Sequence, residues 1–436
     1  MTAAAQLVVA SDIHGLFRGK RLAPGVRAAT KGDDLKMPLS VLFPDVWGRD
    51  LETTDHLMRS GDLDGTLQPI DRAPLSLAPW QPELTLQLAT LLTVEGAPYP
   101  VDPRQALAAI LQQYRAKGLN PVCAIELEFY LYDPNRQPLA PPKRPSTGTR
   151  LTENDVYALD DIEAFAPFFD VLYARCESAG IALDAAIAEY GRGQFEVNLK
   201  HGDDALRVAD DAQIFKYLVR RVAQQFGLGA TFMAKPLGSD LGNGMHVHWS
   251  LLDAEGANVF AADEPTGSAT LKAAVAGMLA ALPESMLILA PHFNSYRRFT
   301  DESLAPTRVS WGVDNRTVAL RIPDSDAANR RVEHRVAGAD ANPYLTLTAL
   351  LGAGLMGITE QRTPPLASAG NQYEGDGEPL PNTWSAAMDQ FSRGPVMKAC
   401  FDPLFIHLLL AAKTQELARF NEVIHPFEYD TYLNRF

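Results

Sequence analysis

The stretch VCAIELEFYLYD, residues 122–133, alternates apolar and polar side chains with a period of two. Such alternation predicts a β-strand, because successive side chains of a strand point to opposite faces of its sheet. One face is apolar from Cys123 to Leu131, and the other carries Glu126, Glu128 and Tyr130. Two carboxylates are therefore expected to project side by side from a strand whose other face is buried.

Four more segments show the same alternation: GQFEVNLK (193–200), GMHVHWSLL (244–252), TVALRIP (317–323) and RRVEHRVAG (330–338). Their polar faces carry Glu196, His246, His248, Ser250, Arg321, Arg331, Glu333 and Arg335. A solvated outer face of an antiparallel sheet is the ordinary explanation for one such strand. Five strands rich in Glu, His and Arg but poor in Lys favour a functional site instead.

The acidic residues of this predicted site would repel one another unless cations neutralised them. They are Glu126, Glu128, Glu189, Glu196 and Glu333, with His246 among them. Hard divalent ions such as Mg²⁺ or Mn²⁺ take carboxylate oxygen with an occasional imidazole. Two such metals flanked by arginines suit phosphoryl transfer from a nucleotide.

Composition limits the function classes. The 436 residues are 46% hydrophobic, and the net charge of -14 with no basic run disfavours nucleic acid as a partner. The apolar segment 269–291 contains Pro283, which predicts two buried helical pieces rather than a membrane span. Three separated cysteines and the absence of a signal-like N-terminus predict reduced thiols in the cytoplasm.

The chain changes character near residue 100. Residues 1–100 are short apolar runs separated by Gly, Pro and Asp, which predicts a small strand-rich domain. After it, Asp102 and Pro103 open a helical pattern. Further helices are predicted over 203–227 and from Asn342, and the loop 363–382 is expected to project from the surface.

Several motifs resemble the glutamine synthetase family, and the match runs from about residue 35 to the C-terminus. In order along the chain they are IELEF, AEYGRGQFEVN, ATFMAKPLGSDLGNGMHVHWSL, NSYRR, DNRTVALRIP and RRVEHRVAGADANPYL. The opening DIHGLFRGKR and the closing VIHPFEYDTYL resemble the branch that joins glutamate to organic amines.

The resemblance implies an α+β fold. A small N-terminal β-grasp domain, residues 1–100, would pack against a larger catalytic domain, residues 101–436, whose curved antiparallel sheet is flanked by helices. The active site would be a funnel between neighbouring subunits of a homo-oligomeric ring, a dodecamer of two hexamers. ATP is the implied co-substrate, with two or more Mg²⁺ or Mn²⁺ ions.

The resemblance also implies two metal sites. Glu128, Glu189 and Glu196 would hold the metal nearer the substrate. Glu126, His246 and Glu333 would hold the metal nearer the ATP phosphates.

Substrate contacts follow from the same motifs. Arg298 would bind the α-carboxylate of glutamate, and the backbone of Gly242 would also contact glutamate. Arg335 and His248 would lie at its γ-carboxyl end. The residues that would meet ATP or the transferring phosphoryl group are Ser250, Arg316, Arg321 and Arg331. The less favoured alternative is that the arginines of that set are structural ion-pair partners and that His248 is a core histidine.

Two departures from the family concern the substrate. Leu304 stands where ammonia-using members carry a glutamate in the flap, which is here residues 297–308, and Leu241 stands where they carry an asparagine. Apolar side chains at the amine end predict a substrate with carbon attached. Glu302, two residues earlier, could replace the missing glutamate, and Asp45 could supply an anion from an adjacent subunit.

The sequence thus predicts an ATP-dependent ligase that joins the γ-carboxyl of glutamate to a primary amine through γ-glutamyl phosphate. Monoamines are slightly favoured over polyamines such as putrescine and spermidine. An ammonia-using glutamine synthetase and a non-catalytic structural or regulatory ring of the same fold are the alternatives.

Overall fold

The computed structural model describes residues 5–26, 35–52, 61–78, 80–81, 83–153, 155–301 and 303–436. The N-terminal part forms a mixed sheet in the order β2-β1-β6-β4-β3, with β5 paired to β6. Its strands are β1 (Ala5–Ser11), β2 (Phe17–Leu22), β3 (Lys36–Pro38), β4 (Asp64–Pro69), β5 (Leu75–Ser76) and β6 (Leu84–Leu92). Strands β1 and β6 are parallel, and the other pairs are antiparallel.

The larger sheet has the order β12-β13-β14-β11-β7-β9-β8, with β10 paired to β7. Its strands are β7 (Asn120–Tyr132), β8 (Leu183–Ala188), β9 (Gln194–Leu199), β10 (Gly229–Thr231), β11 (Met245–Leu252), β12 (Trp311–Val313), β13 (Leu320–Ile322) and β14 (Val332–His334). All five segments with alternating polarity contribute a strand to it. The sheet is antiparallel except for β12 and β13, which are parallel, so the antiparallel prediction fails at that edge.

The described helices are α1 (Pro103–Arg115), α2 (Leu159–Ala164), α3 (Ala166–Ser178), α4 (Ala205–Gln225), α5 (Ala269–Leu289), α6 (Pro343–Thr359), α7 (Trp384–Arg393), α8 (Pro395–Cys400), α9 (Pro403–Glu422) and α10 (Pro426–Tyr432). Short 3-10 helices span Leu39–Leu42 and Phe293–Arg298. The predicted helix starts are confirmed, since Asp102 accepts from Arg104 N and Asn342 from Tyr344 N, each followed by a proline.

Helix α5 corrects one prediction, because it continues through Pro283 instead of breaking into two pieces. A proline inside a helix removes one hydrogen bond and costs about 3 kcal/mol. Burial of most of the apolar side chains of α5 offsets that cost. The backbones of α5 and α6 approach so closely that a Cβ on Gly277 would lie 2.2 Å from Ala353 O. The helix is long and apolar enough to cross a membrane, but 78% of its most apolar window is buried inside the protein.

The apolar face of β7 packs into the core, where the Phe129 ring contacts Phe195 of β9, Phe215 of α4 and Phe232. Its polar face is therefore directed away from the helices. The loop 363–382 is mostly exposed, as predicted, and it is hydrogen-bonded to the end of the flap and to β12. Ser368 N donates to Trp311 O at 2.7 Å, and Leu380 N donates to Thr307 O at 2.9 Å.

Candidate active site

A cavity of about 550 Å³ lies on the polar face of the larger sheet. Most of the predicted site residues line it, although they are spread over some 200 positions of the sequence. They are Glu126, Glu128, Glu189, Glu196, Leu241, Gly242, His246, His248, Arg298, Leu304, Arg316, Arg321, Arg331, Glu333 and Arg335. Strand pairing brings the strand-borne residues together.

The centre of the cavity is an arrangement of carboxylates and imidazoles. Register places Glu126 opposite His246 on β11 and Glu128 opposite Glu196 on β9. Glu126 Oε2 lies 3.2 Å from His246 Nδ1, and its Oε1 lies 2.8 Å from His248 Nε2. The two histidines therefore orient one carboxylate of β7.

The pKa values of the acidic groups are shifted, as expected for carboxylates that lie close together. Burial, with the nearby charges of Glu126, Glu128 and Glu189, raises the pKa of Glu196 to about 9. Burial and the charge of Glu128 raise the pKa of Glu189 to about 7. Burial also acts on Glu126, but hydrogen bonds from His246 and His248 outweigh it and hold its pKa below the ordinary value. Ionising the whole set at neutral pH requires a compensating cation.

Two groups of side chains could each hold a metal ion, because the donor atoms within each group lie within 4.8 Å of one another. The groups are Glu126, Glu196 and His246, and Glu126, His248 and Glu333. Oxygen and imidazole donors of this kind fit a hard divalent cation such as Mg²⁺ or Mn²⁺. The grouping differs from the predicted one, since both sets share Glu126. The predicted division, with Glu128 and Glu189 at a separate metal, stays a prediction.

Glu333 lies between two arginines. Arg335 Nη1 donates to Glu333 Oε1 at 2.5 Å, and Arg321 Nη1 donates to Glu333 Oε2 at 2.7 Å. Although burial opposes it, the Arg335 charge, followed by those of His246 and His248, lowers the pKa of Glu333 to about 2. The arginines thus border the carboxylates and place positive charge beside them.

Arg331 and Arg316 complete the basic side of the cavity. Arg331 Nε donates to His248 Nδ1 at 3.3 Å, so His248 contacts both Arg331 and Glu126 rather than lying in the apolar core. Arg316 is exposed.

Arg298 is 4% exposed and lines the cavity from the end of the 3-10 helix. Its Nη1 donates to Val336 O at 2.8 Å. A Cβ on Gly242 would lie 2.7 Å from Arg298 Cγ, so only glycine allows this close approach. Leu241 O next to it accepts from Tyr130 Oη at 2.7 Å.

Ser250 lines an adjoining cavity of about 860 Å³ that shares Glu126, His248 and Arg331 with the first. The nucleotide contact assigned to Ser250 stays a prediction.

Asp45 is not brought to either cavity by the described part of the chain. Its carboxylate is 1% exposed and accepts from Trp47 N, Arg49 N and Gln415 Nε2. These bonds hold a local turn and attach it to α9. The role of Asp45 as an anion supplied to an adjacent subunit stays a prediction. Glu302, the proposed substitute for the flap glutamate, lies outside the described residues.

Leu304 is 37% exposed and lines the cavity, between buried Ser303 and Ala305. Its backbone φ is +60°, a left-handed conformation that costs a non-glycine residue about 1–2 kcal/mol. The fold thus holds this leucine in an unfavourable conformation with its side chain at the cavity.

Several lining residues had no predicted role, namely Val156, Tyr157, Asp184, Ile187, Tyr190 and Gln194. Gln194 could have been found, because it shares a polar strand face with Glu196; its Nε2 donates to Glu128 Oε2 at 3.1 Å and to Gly242 O at 3.0 Å. Tyr157 belongs to an irregular segment with no periodic signal. It reaches the site because its N donates to Ala188 O at 2.9 Å, next to Glu189.

The chain matches the family described as "Glutamine synthetase, catalytic domain" over residues 100–432. The chain belongs to the glutamine synthetase family. Related members include gamma-glutamylputrescine synthetase PuuA of Escherichia coli (strain K12), 39% identical over 98% of this chain and 91% of that protein. Glutamate--isopropylamine ligase of a Pseudomonas species is 32% identical over 98% of this chain and 94% of that protein.

Solved structures support the same relationship. The structure described as "Apo GmaS without ligand" has a TM-score of 0.86 at 27% identity, covering 99% of this chain and 97% of that one. A GmaS/ADP complex has a TM-score of 0.85, with the same identity and coverage.

The predicted family and the α+β fold class are confirmed by these comparisons. Membership of the glutamine synthetase family makes the chain an ATP-dependent carbon–nitrogen ligase that acts on glutamate. The family uses ATP with divalent metal ions, for which the Glu and His side chains of the cavity are suitable ligands.

Proposed function

We propose that this protein joins the γ-carboxyl of glutamate to a primary organic amine. The observation that carries the proposal is Leu304, whose side chain lines the cavity at the flap. Ammonia is present mainly as ammonium at neutral pH. An ammonia-using site therefore gains from a carboxylate that attracts the cation and accepts its proton. Leucine does neither. Relatives whose names specify organic amines support the same substrate class.

The proposed reaction has two steps, and the residues have separate roles. Arg298 binds the α-carboxylate of glutamate, while Arg335 and His248 meet its γ-carboxyl end. A γ-carboxylate oxygen bonds to the terminal phosphorus of ATP while the bond from that phosphorus to ADP breaks, which gives γ-glutamyl phosphate and ADP; Arg316 and Arg321 stabilise the charge on the transferring oxygens. The amine nitrogen then bonds to the γ-carbon, phosphate leaves, and the nitrogen loses a proton. Divalent ions held by the glutamates and His246 would supply further charge neutralisation.

Within organic amines, we place monoamines slightly ahead of polyamines. Val156, Tyr157, Ile187 and Tyr190 give the cavity apolar and aromatic surface besides Leu304. A distant second ammonium would require a carboxylate outside the metal set, and among the described lining residues Asp184 alone meets that condition.

A diamine is the second candidate, favoured by the 39% identity to a gamma-glutamylputrescine synthetase and by the exposed carboxylate of Asp184. Asp184→Asn separates the two. It raises KM for putrescine but not for isopropylamine if the diamine is the substrate, and it leaves both unchanged if the monoamine is.

The proposal includes a cytoplasmic homo-oligomeric ring, a dodecamer of two hexamers. Cys123, Cys176 and Cys400 are free thiols, in keeping with a reducing compartment. The C-terminal segment 423–436 exposes large apolar side chains, including Phe427 at 71% and Phe436 at 99%. Several large apolar side chains exposed along one segment are typical of a protein contact.

The test is phosphate release and amide formation from ATP, Mg²⁺ and glutamate with ammonia, ethanolamine, isopropylamine, benzylamine, putrescine or spermidine. At least one organic amine should exceed ammonia in kcat/KM. Equal or better activity with ammonia would make the chain an ordinary glutamine synthetase. Absence of a magnesium-dependent thermal shift with ATP would favour the non-catalytic ring, against which the intact carboxylate set argues.

A further inference from the structure

The flap turn at Ser303–Ala305 depends on support from outside itself. Ser303 and Ala305 are buried, whereas Leu304 between them is part-exposed with φ +60°. A leucine adopts this conformation only when its surroundings impose it. Within the flap, Ser303 Oγ accepts from Thr300 N and from Ala305 N, both at 3.4 Å, which are long bonds.

Tyr373 reaches this turn from the loop 363–382. Its Oη donates to Ala305 O at 3.3 Å. Burial raises the pKa of Tyr373, while the Ser303 hydroxyl, the Leu304 N–H and the charges of Arg335 and Arg298 act in the opposite sense. The phenol oxygen thus lies at the flap turn, where the charges of Arg335 and Arg298 also act on it.

The loop that carries Tyr373 is itself fixed. Arg308 Nε donates to Tyr373 O at 3.3 Å, and Arg308 Nη1 donates to Gly377 O at 3.0 Å. On the preceding side, Gln372 N donates to Thr317 Oγ1 at 3.0 Å. Tyr373 therefore projects from a segment anchored on both sides, next to the loop that bears Arg316.

We propose that Tyr373 is a positioning residue that holds the Leu304 turn closed over the reacting γ-carboxyl, so that the acyl phosphate meets an amine rather than water. The inference rests on the proposed acyl-phosphate reaction, and extends it to the residue that protects the intermediate. Tyr373 touches the flap backbone and has no direct part in bond making.

Opening of the Leu304 turn would change which nucleophile reacts with the acyl phosphate. In the productive step the amine nitrogen bonds to the γ-carbon, the bond from that carbon to the phosphate oxygen breaks, and one proton leaves the nitrogen. If the turn opens, water oxygen forms the bond instead. Glutamate and inorganic phosphate are then released with a proton, and ATP is consumed without amide. Exclusion of water by closing loops is a common requirement for such intermediates.

Tyr373→Phe removes the hydroxyl and keeps the ring. Because one hydrogen bond is lost, we expect the amount of phosphate released per amide formed to rise several-fold. The kcat/KM for the amine should fall, and the KM for ATP should not change. Tyr99→Phe is the matched control, because the Tyr99 hydroxyl is buried without a hydrogen-bond partner among the described residues. That control should keep the wild-type ratio.

Ser303→Ala provides a second measurement on the same turn. If both side chains act by holding the flap, the fold-increase in phosphate released per amide in the double variant should be less than the product of the increases in the two single variants. An unchanged ratio of phosphate to amide in Tyr373→Phe overturns the inference. The ratio can be measured with whichever nucleophile the wild type accepts, ammonia included, so failure of the organic-amine proposal does not affect this test.

Discussion

At the residue scale, Leu304 is the position at which we propose that substrate choice is set, because its side chain lines the cavity where a carboxylate would serve ammonia. Leu304→Glu is expected to raise kcat/KM for ammonia at least roughly 10-fold, since a positioned general base contributes about 10²–10⁴-fold. Activity with the best organic amine should fall. Steady-state kinetics with both nucleophiles check this.

Leu304→Met is the matched control, because it keeps an apolar side chain of similar volume and should leave ammonia use unchanged. Equal gains in both variants would mean that loosening of the flap, and not the carboxylate, increases ammonia use.

The perturbed carboxylates predict how magnesium affects stability with pH. The pKa of Glu189 is raised to about 7 and that of Glu196 to about 9. Raised values mean that the metal-free folded state loses stability as pH rises from the ordinary value near 4.5 through these pKa values. Metal binding needs the deprotonated forms. The Tm increase caused by Mg²⁺ should therefore be larger at pH 9 than at pH 6.

Glu196→Gln should weaken this pH dependence, whereas Glu264→Gln, a surface carboxylate paired with Lys272, should retain it. Thermal melts with and without Mg²⁺ at each pH provide the measurement. A magnesium shift that decreases from pH 6 to pH 9 would contradict the assignment.

At the scale of elements, the contact between α5 and α6 explains why a proline does not break α5. Gly277→Val would place side-chain carbon where Ala353 O already lies, and overpacking of this kind costs about 1–3 kcal/mol in free energy of unfolding. Chemical denaturation measures the loss. Gly238→Ala is the control, since a Cβ there meets nothing within 4 Å, and it should be close to neutral.

At the scale of the whole molecule, the exposed apolar C-terminal segment predicts an assembly contact. Deletion of residues 423–436 should give a folded chain in a smaller assembly, because this segment is exposed and adds little to the core of the single chain. Light scattering after size-exclusion chromatography reports the mass, and circular dichroism reports folding. An unchanged mass would show that other surfaces hold the assembly.

The sequence alone predicted the five strands and the composition of their faces, because alternation with a period of two is a local property of the backbone. It therefore placed Glu126, Glu128 and Glu196 on polar strand faces, and with the family motifs it named most of the cavity lining. The helix starts at Asp102 and Asn342 were likewise local, since capping involves residues two positions apart.

Other features depend on contacts between segments distant in sequence and became visible in the folded chain. Helix α5 continues through Pro283 because α6 packs against it, and Glu126 is shared between two donor groups because β7 lies between β9 and β11. Asp45 is enclosed by its own turn and α9, and Tyr373 lies on the flap because its loop is anchored to residues 307–317. No local pattern encodes such contacts, since their energies arise from burial and hydrogen bonds between segments that chain folding brings together.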